Sequence, residues 1–337
     1  MGLTMFKNYM DLLVCPKCHG KLEWNIEKET IDRIVDAKIQ CTNCGSEYEV
    51  KDEIAVFLTD IMDRNDLWEM AEEGVVKYFK EKPSLFEALD KADESALNGA
   101  DLWYKASYYE ALGDYEKSIP QFNIAMEKIY TNEYNDAWNS QINYVANKAK
   151  KESMVVDIAS GKGYLVKKLI ESGTKHVIVT DFSPTILKRN KAYYKHLKCY
   201  DQLSLIAFDA RLTPFKDHSI KCMTSNVGIM NIENSGEVAS ELKRILSGAF
   251  YSIMQFIDEA DKKNLRVFED YGNTVFALEK SAVRAFEDKN YGVAVENKIN
   301  AFSRPTPIGQ LVEGASVDGF PVCDTNIKFC VMKVNKK

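Results

Sequence analysis

The sequence predicts an α/β protein with a doubly wound, Rossmann-like sheet, an N-terminal zinc ribbon and a helical insertion between them. Two observations carry this prediction. From residue 153 to 257, strand-like apolar segments alternate regularly with helical patterns, which is typical of a parallel sheet covered by helices. In the first 59 residues, four cysteines form two CxxC pairs.

Length and composition set limits on the function. The 337 residues exceed what a single core usually holds, and 45% hydrophobic with 28% charged residues is ordinary for a globular protein. A formal net charge of −6 disfavours binding that depends on neutralising nucleic-acid phosphates. No apolar run approaches the roughly 20 residues of a membrane helix. Because the N-terminus lacks a signal-peptide layout, we expect a cytoplasmic protein without a membrane partner.

The chain divides into three predicted units: a zinc ribbon at 1–59, a helical region at 60–152 and a catalytic domain at 153–337. The helical region is rich in Glu, Lys, Ala and Tyr and is a candidate lid or substrate-binding part. One stretch in it matches the tetratricopeptide pattern, but a single repeat cannot bury its own face, so we expect a local helical hairpin. After residue 257, one long helical pattern runs to about Asn290, followed by two strand-like stretches.

The cysteine spacing indicates a metal site. Cys15 pairs with Cys18, and Cys41 pairs with Cys44. Each CxxC places two thiolates on one tight turn, so the two turns together supply the four tetrahedral ligands of a zinc ion. Four protein ligands leave no open coordination position, and the predicted zinc is therefore structural.

The same segment resembles the small zinc-ribbon proteins that bind and activate methyltransferases. The resemblance rests on CPKCHGKLEW, IQCTNCGSEYEV and the closing run IAVFL, including Tyr48 and Val50. Family members usually carry proline where Ala55 stands. The resemblance implies a zinc-dependent module next to a methyltransferase.

The stretch VVDIASGKGYL at 155–165 predicts a strand, a tight turn and a helix that hold a cofactor. A dinucleotide fingerprint needs a third small residue where Val166 stands, and Asp157 at the strand end would repel a pyrophosphate. S-adenosylmethionine carries a cationic sulfur and an amino group, which suit that acid. The turn residues predicted to contact it are Asp157, Ala159, Ser160, Gly161 and Gly163.

Acids end the next two predicted strands as well. Asp181 is placed to accept the ribose hydroxyls and Asp209 the adenine amino group, while Phe182 and Ala210 flank the ring and Ser183 follows in the same turn. Each acid taken singly is equally well explained as a helix N-cap. Three acids at the ends of three successive strands favour a cofactor site.

Residues 153–257 resemble a class I S-adenosylmethionine-dependent methyltransferase of the ubiquinone and menaquinone biosynthesis type. The matching segments are VVDIASGKG, VIVTDFSPTIL, FDARLTPFKDHSI and ELKRILSGAFYSIMQF, in family order. Ala159 replaces the usual first glycine, and Gly248-Ala249 replaces a common double glycine. The resemblance implies that SNVGIMNI lines the methyl-transfer site, with Asn226 as a candidate for cofactor contact or catalysis.

Methyl transfer is an in-line displacement that depends mainly on proximity and orientation, so a catalytic base is optional. His218 is the other candidate catalytic residue, although an exposed loop histidine explains it as well. Tyr104, Tyr108 and Tyr109 are candidates for a lid, with helix packing as the plainer explanation. The sequence lacks the (D/N)PP(Y/F) segment and the Pro-Cys nucleophile of two other methyltransferase classes.

The acceptor stays open between three readings. The acidic total favours a small molecule or a peptide. The zinc ribbon also resembles that of bacterial ribosomal-RNA guanine methyltransferases, and the basic, aromatic stretch LKRNKAYYKHLK would suit a ribosomal RNA or tRNA base as substrate. A non-catalytic binding or scaffold protein is the third reading, which the intact set of strand-end acids argues against.

Overall fold

The computed structural model describes residues 7–60, 67–234, 236–270 and 272–337. The strands in these ranges are β1 (Leu22–Glu29), β2 (Ile34–Cys41), β3 (Glu47–Lys51), β4 (Ile54–Val56), β5 (Val155–Asp157), β6 (Val177–Asp181), β7 (Leu203–Ala207), β8 (Ile220–Asn226), β9 (Leu246–Phe256), β10 (Tyr291–Ser303) and β11 (Thr325–Lys336). They form one sheet in the order β1-β2-β3-β4-β7-β6-β5-β8-β9-β11-β10.

The α-helices in the same ranges are α1 (Leu67–Glu81), α2 (Pro83–Lys91), α3 (Gly99–Ala111), α4 (Tyr115–Ile129), α5 (Asn132–Ala149), α6 (Tyr164–Glu171), α7 (Pro184–His196), α8 (Gly236–Ile245), α9 (Lys262–Asp270) and α10 (Glu279–Glu287). None of these described helices is both long and apolar enough to cross a membrane.

The centre of the sheet, β5 to β9, is parallel and covered on both faces. Successive side chains of a strand point to opposite faces. Accordingly Val156 and Ile178 join one apolar core, while Val155 and Val177 join the other. The predicted doubly wound sheet is therefore confirmed. β5 lies between β6 and β8, so the strand order reverses at β5, and ligands of such sheets bind beyond the carboxyl ends at this point.

The zinc-ribbon segment is continuous with this sheet. β4 pairs in parallel with β7, with Ile54 opposite Leu205 and Val56 opposite Ala207. The chain continues the pairing for one more residue, because the Phe57 amide donates to the Ala207 carbonyl at 2.8 Å. The open edge that β7 would otherwise present is thus covered from within the same chain.

The helical region folds as predicted. α3 and α4 form the expected hairpin, joined by a turn at Gly113, whose φ of +77° glycine adopts at no steric cost. A separate apolar cluster that includes Phe79, Leu102 and Ile129 holds these helices together, and Val312 from the β10–β11 connection belongs to it.

The C-terminal part corrects one expectation. The long helix predicted up to about Asn290 is instead two helices, α9 and α10, with a short 3-10 turn at Thr274–Phe276 between them. Gly272 lies just after α9 with a φ of +68°, and the Asn273 amide donates back to the Phe268 carbonyl. This left-handed ending explains the break. The two strand-like stretches are β10 and β11, which pair antiparallel.

Candidate cofactor site and cysteine cluster

The four predicted metal ligands converge. The Sγ atoms of Cys15, Cys18, Cys41 and Cys44 all lie within 4.8 Å of one another. Cys15 Sγ is 3.6 Å from Cys44 Sγ, and Cys18 Sγ is 3.5 Å from Cys41 Sγ. A tetrahedron with Zn–S bonds of 2.3 Å has edges of about 3.8 Å, so the spacing fits a zinc ion.

The surroundings of the cluster support the same geometry. A Cβ on Gly20 would lie 3.1 Å from Cys41 Sγ and 3.2 Å from Cys18 Sγ, so only glycine leaves room there. Gly45 has a φ of +72°, which glycine adopts freely. The Tyr48 hydroxyl lies 3.2 Å from Cys15 Sγ, where it can donate to a thiolate.

Asp157 ends β5 as an almost fully buried acid, 1% exposed. Its Oδ1 accepts a hydrogen bond of 2.6 Å from the Thr224 hydroxyl on β8. Burial raises the pKa of Asp157 from 3.8 to about 7, with a further contribution from the Asp181 charge, and the hydrogen bonds from Thr224 and Ser160 oppose the rise. A nearby cation would favour its charged form.

The turn after β5 needs three left-handed residues. Ala159, Gly161 and Gly163 have φ values of +51°, +51° and +76°. A Cβ on Gly163 would lie 2.1 Å from the Tyr194 hydroxyl, which donates to the Gly163 carbonyl at 2.9 Å. Ala159 is tolerated because it faces Gly228: a Cβ on Gly228 would lie 2.7 Å from the Ala159 Cβ.

The side chain of Ser160 serves this turn internally. Its hydroxyl donates to the Asp157 carbonyl at 3.0 Å and lies 3.3 Å from the Thr180 amide, which donates to it. The structure therefore places Ser160 in the predicted turn with its hydroxyl turned toward the backbone.

Asp181, at the end of β6, reaches the turn after β5. Its Oδ2 accepts from the Gly161 amide at 3.0 Å, and its Oδ1 accepts from the Ser183 amide at 3.1 Å. Ser183 caps α7 by accepting from the Ile186 amide. Phe182 lies between Asp181 and Ser183 in the chain. Asp157 and Asp181 thus stand at the carboxyl ends of neighbouring strands, as predicted.

The third strand-end acid has a partner that sequence reasoning missed. Both carboxylate oxygens of Asp209 pair with the Arg211 guanidinium, at 2.9 Å and 2.6 Å. Ala210 is 8% exposed and packs into an apolar core with Phe208 and Phe215. The sequence signal for this ion pair was the arginine two residues after the acid.

The two candidate catalytic residues lie at opposite ends of β8. Asn226 ends the strand, and its Oδ1 accepts from the Trp138 indole at 3.1 Å. His218 precedes the strand, beside Lys336 at the end of β11, with its Nδ1 3.0 Å from Lys336 Nζ. Seven residues of strand, about 20 Å, separate these ends, so the structure does not bring His218 to the cofactor edge.

The three candidate lid tyrosines contact residues of the helical region and of the β10–β11 connection. Tyr104 donates to the Ser316 carbonyl at 3.0 Å, and Tyr109 donates to the Asp90 carboxylate. The Tyr108 ring packs on Phe86 at 4.4 Å. These contacts favour the helix-packing explanation over a lid.

A group of charges from three elements lies beside the glycine turn, and the sequence offered no sign of it. Lys162 Nζ is 3.4 Å from Glu110 Oε2 on α3, and Arg189 Nε on α7 is 4.0 Å from Glu110 Oε1. Burial lowers the pKa of Lys162. A cavity of about 40 Å³ opens here, lined by Gly161, Lys162, Asp181, Ile186 and Arg189.

The basic helix considered for RNA contact is largely matched by acids of the same chain. On α7, Lys191 pairs with Asp52 at 2.6 Å and Glu53 at 3.4 Å, both in the turn between β3 and β4. Lys195 also pairs with Glu53, at 3.6 Å. These ion pairs hold the ribbon against the sheet domain.

Two separate parts of the chain match known families. Residues 155–248 match the family described as "Methyltransferase domain", and residues 8–53 match the family described as "Trm112p-like protein". The first match spans the switch-point turn to the start of β9, and the second contains all four clustered cysteines.

Curated relatives are quinone-pathway methyltransferases. The chain is 24% identical over 126 residues to the ubiquinone/menaquinone biosynthesis C-methyltransferase UbiE of Pectobacterium carotovorum, covering 36% of this chain and 50% of the relative. It is 24% identical over 177 residues to the UbiE protein of Brucella anthropi, covering 51% and 61%. The chain thus spans between half and two thirds of the length of these relatives.

Solved structures similar to this chain include the YcgJ protein from Bacillus subtilis, with a TM-score of 0.48, 13% identity and coverage of 59% of this chain and 99% of that one. Another is geranyl diphosphate C-methyltransferase from Streptomyces coelicolor, with a TM-score of 0.44, 13% identity and coverage of 59% and 76%. The family matches and the sheet topology together indicate a methyltransferase-like domain in this chain, with a Trm112p-like segment ahead of it.

Proposed function

We propose that the protein binds S-adenosylmethionine at the carboxyl edge of β5 and β6 and methylates a small molecule or a peptide. The observation that carries the proposal is the Asp181 carboxylate, which lies at the carboxyl end of β6, next to the switch-point strand β5, and accepts from the Gly161 amide at 3.0 Å. This links the glycine turn to the acid that a ribose needs. When bound, S-adenosylmethionine supplies an electrophilic methyl group on a cationic sulfur.

In this proposal each set of predicted residues contacts a different part of the cofactor. Asp157, Ala159, Ser160, Gly161 and Gly163 form the turn beside the methionine part. Asp181 with Phe182 and Ser183 faces the ribose, and Asp209 with Ala210 faces the adenine. Asp209 reaches the adenine amino group only if it shares its carboxylate with Arg211. Asn226 stands at the end of β8 beside the reacting methyl group.

The cysteine cluster would hold a structural zinc. All four ligands come from the protein, and the Sγ spacing matches a tetrahedral ion. The ion would fix the turn before β1 and the turn after β2, and through β4 it would stabilise the edge of the methyltransferase sheet.

We prefer a small methyl acceptor to RNA because basic residues of α7 form ion pairs with acids of the same chain. Lys191 and Lys195 of α7 pair with acids of the ribbon rather than presenting a free basic face. Binding to nucleic acid draws most of its affinity from such free cations. The acidic net charge of −6 acts in the same direction.

Calorimetric titration of the full chain with S-adenosylmethionine tests the proposal. We expect one site per chain, weakened at least about tenfold, or about 1.4 kcal/mol, in Asp181→Asn because the ribose loses a charged acceptor. Asp201→Asn is the matched control: this acid is exposed and lies before the amino end of β7. Equal affinity in wild type and Asp181→Asn would overturn the site.

A further inference from the structure

Four aromatic side chains gather where α5 meets the carboxyl edge of the sheet. Tyr134 and Trp138 lie one turn apart on α5, Tyr130 precedes that helix, and Tyr164 opens α6 directly after the glycine turn. The Tyr130 and Tyr134 rings stack with centroids 4.4 Å apart. The Trp138 and Tyr164 rings meet edge to face at 5.1 Å. We call these four residues the aromatic group.

The aromatic group lies over the strand ends where the methyl donor is proposed to bind. Trp138 donates to Asn226 at the end of β8. Tyr134 accepts from the Gln255 side chain near the end of β9, at 2.8 Å. The aromatic group therefore lies beside the place from which a methyl group would be transferred.

Asp318 adds a carboxyl group to this cluster. It lies on the connection between β10 and β11, and its Oδ2 accepts from the Tyr130 hydroxyl. Burial raises the pKa of Asp318, and the Tyr130 hydrogen bond opposes the rise. Within the described parts of the chain, no lysine, arginine or histidine forms an ion pair with this carboxylate. An enclosed acid without a cation is costly, and a cationic ligand would remove that cost.

The five side chains are not part of a fully buried core. Tyr130, Tyr134, Trp138, Tyr164 and Asp318 each keep part of their surface accessible. Desolvation nevertheless raises the pKa values of the three tyrosines well above their ordinary range. The five side chains are therefore partly enclosed by protein and still partly accessible from outside.

We propose that the aromatic group and Asp318 bind the methyl acceptor, and that the acceptor is a small molecule carrying an amine. This proposal rests on the proposed methyltransferase function and names its substrate class. Aromatic faces attract ammonium groups through their π electrons, and the carboxylate completes the site with a full charge. A neutral ring could pack against the aromatic side chains but would leave Asp318 without a cation.

The transfer step balances with Asp318 as the proton acceptor. The bound ammonium gives one proton to the Asp318 carboxylate and becomes an amine with a free electron pair. That pair forms the new N–CH3 bond while the S–CH3 bond breaks and its electrons stay on sulfur. The products are a methylated ammonium and the neutral thioether, S-adenosylhomocysteine. Asp318 then returns its proton to solvent.

Titration of the full chain, first saturated with S-adenosylhomocysteine, with tetramethylammonium chloride tests the proposal. Tert-butanol is the matched neutral probe because it has nearly the same shape without the charge. We expect saturable binding of tetramethylammonium and none of tert-butanol. Asp318→Asn should weaken it at least about tenfold, while Asp324→Asn, an exposed acid on the same connection, should leave it unchanged.

Tyr164 supplies a second pair of variants if Asp318→Asn does not fold. Tyr164→Phe keeps the aromatic face and should bind tetramethylammonium as wild type does, whereas Tyr164→Leu should bind at least about tenfold more weakly. Equal binding of the two probes, or equal affinity in Asp318→Asn and wild type, would overturn the amine proposal. So would a tenfold loss of S-adenosylhomocysteine affinity in Asp318→Asn, since the acid would then serve the cofactor. Failure of wild type to bind S-adenosylhomocysteine at all would instead contradict the proposed function.

Discussion

Asp157 shows how one residue combines structure and proposed chemistry. Its carboxyl is buried between β5 and β8 and hydrogen-bonded to Thr224, and its pKa is raised from 3.8 to about 7. The unfolded chain ionises this group near 3.8, so the folded protein pays for its charge at higher pH. Its contribution to the free energy of unfolding is therefore largest below about pH 4 and declines as the pH rises to about 7.

The same shift predicts a pH dependence of cofactor binding. A cationic sulfonium favours the charged form of Asp157, and the neutral thioether of the product does so less. The affinity ratio of S-adenosylmethionine to S-adenosylhomocysteine should therefore rise severalfold from pH 6 to pH 8. Calorimetry at pH 6, 7 and 8 measures it. In Asp157→Asn the ratio should be flat, and a ratio that falls with pH in wild type would contradict the assignment.

For single residues, the sequence predicts their positions in the fold better than it predicts which side chains they contact. Asp157 and Asp181 stand at neighbouring strand ends because each follows an apolar run that forms a parallel strand. The Asp209–Arg211 pair was open to inference, since the two residues are close in sequence. Glu110 beside Lys162, and Tyr130 beside Asp318, join distant segments, and no local pattern announces such contacts.

β4 is short, but it connects two parts of the chain. Three residues join the ribbon to β7 and extend one sheet across two family domains. The apolar residues at 54–58 suit a buried strand, but the choice of β7 as the partner of that strand depends on tertiary packing. Lys191 of α7 strengthens the joint through Asp52 and Glu53.

Metal analysis tests the ribbon at the level of this element. We expect about one zinc per chain, lost in Cys41→Ser because three thiolates bind the ion far more weakly than four. Cys199→Ser, which changes a half-buried cysteine outside the cluster, should keep its zinc. Native, folded protein without any zinc would contradict the metal assignment.

Asp101 of α3 binds the backbone of the connection between β10 and β11. Asp101, 1% exposed, accepts from the backbone amides of Gln310, Leu311 and Val312 at 2.9 to 3.3 Å. These are charge-assisted bonds from three consecutive residues. They hold residues 304–324, including Asp318, against the helical region.

Removing this tie should loosen the connection. Asp101→Ala should lower the free energy of unfolding by about 2–3 kcal/mol and speed proteolysis within 304–324, because buried amides lose a charged acceptor. Asp136→Ala, at an exposed position on α5, is the control and should change neither. Unchanged cleavage in Asp101→Ala would show that other contacts hold the segment. Chemical denaturation and timed proteolysis supply the two measurements.

Over the whole molecule, two segments far apart in sequence form one cover for the carboxyl edge of the sheet. The helical region and residues 304–324 share an apolar cluster and meet the site through Glu110, Trp138 and Asp318. The alternating strand and helix pattern predicted the sheet itself. It could not predict this cover, because the two segments are distant in sequence and meet only through tertiary packing.

A crystal structure of the full chain with S-adenosylhomocysteine would test the proposed cofactor site most directly. We expect the ribose hydroxyls within hydrogen-bond distance of the Asp181 carboxylate, the turn at 157–163 against the homocysteine part, and the sulfur near Asn226 facing the aromatic group. A ligand bound elsewhere, or one that leaves Asp181 paired only with the protein backbone, would contradict it.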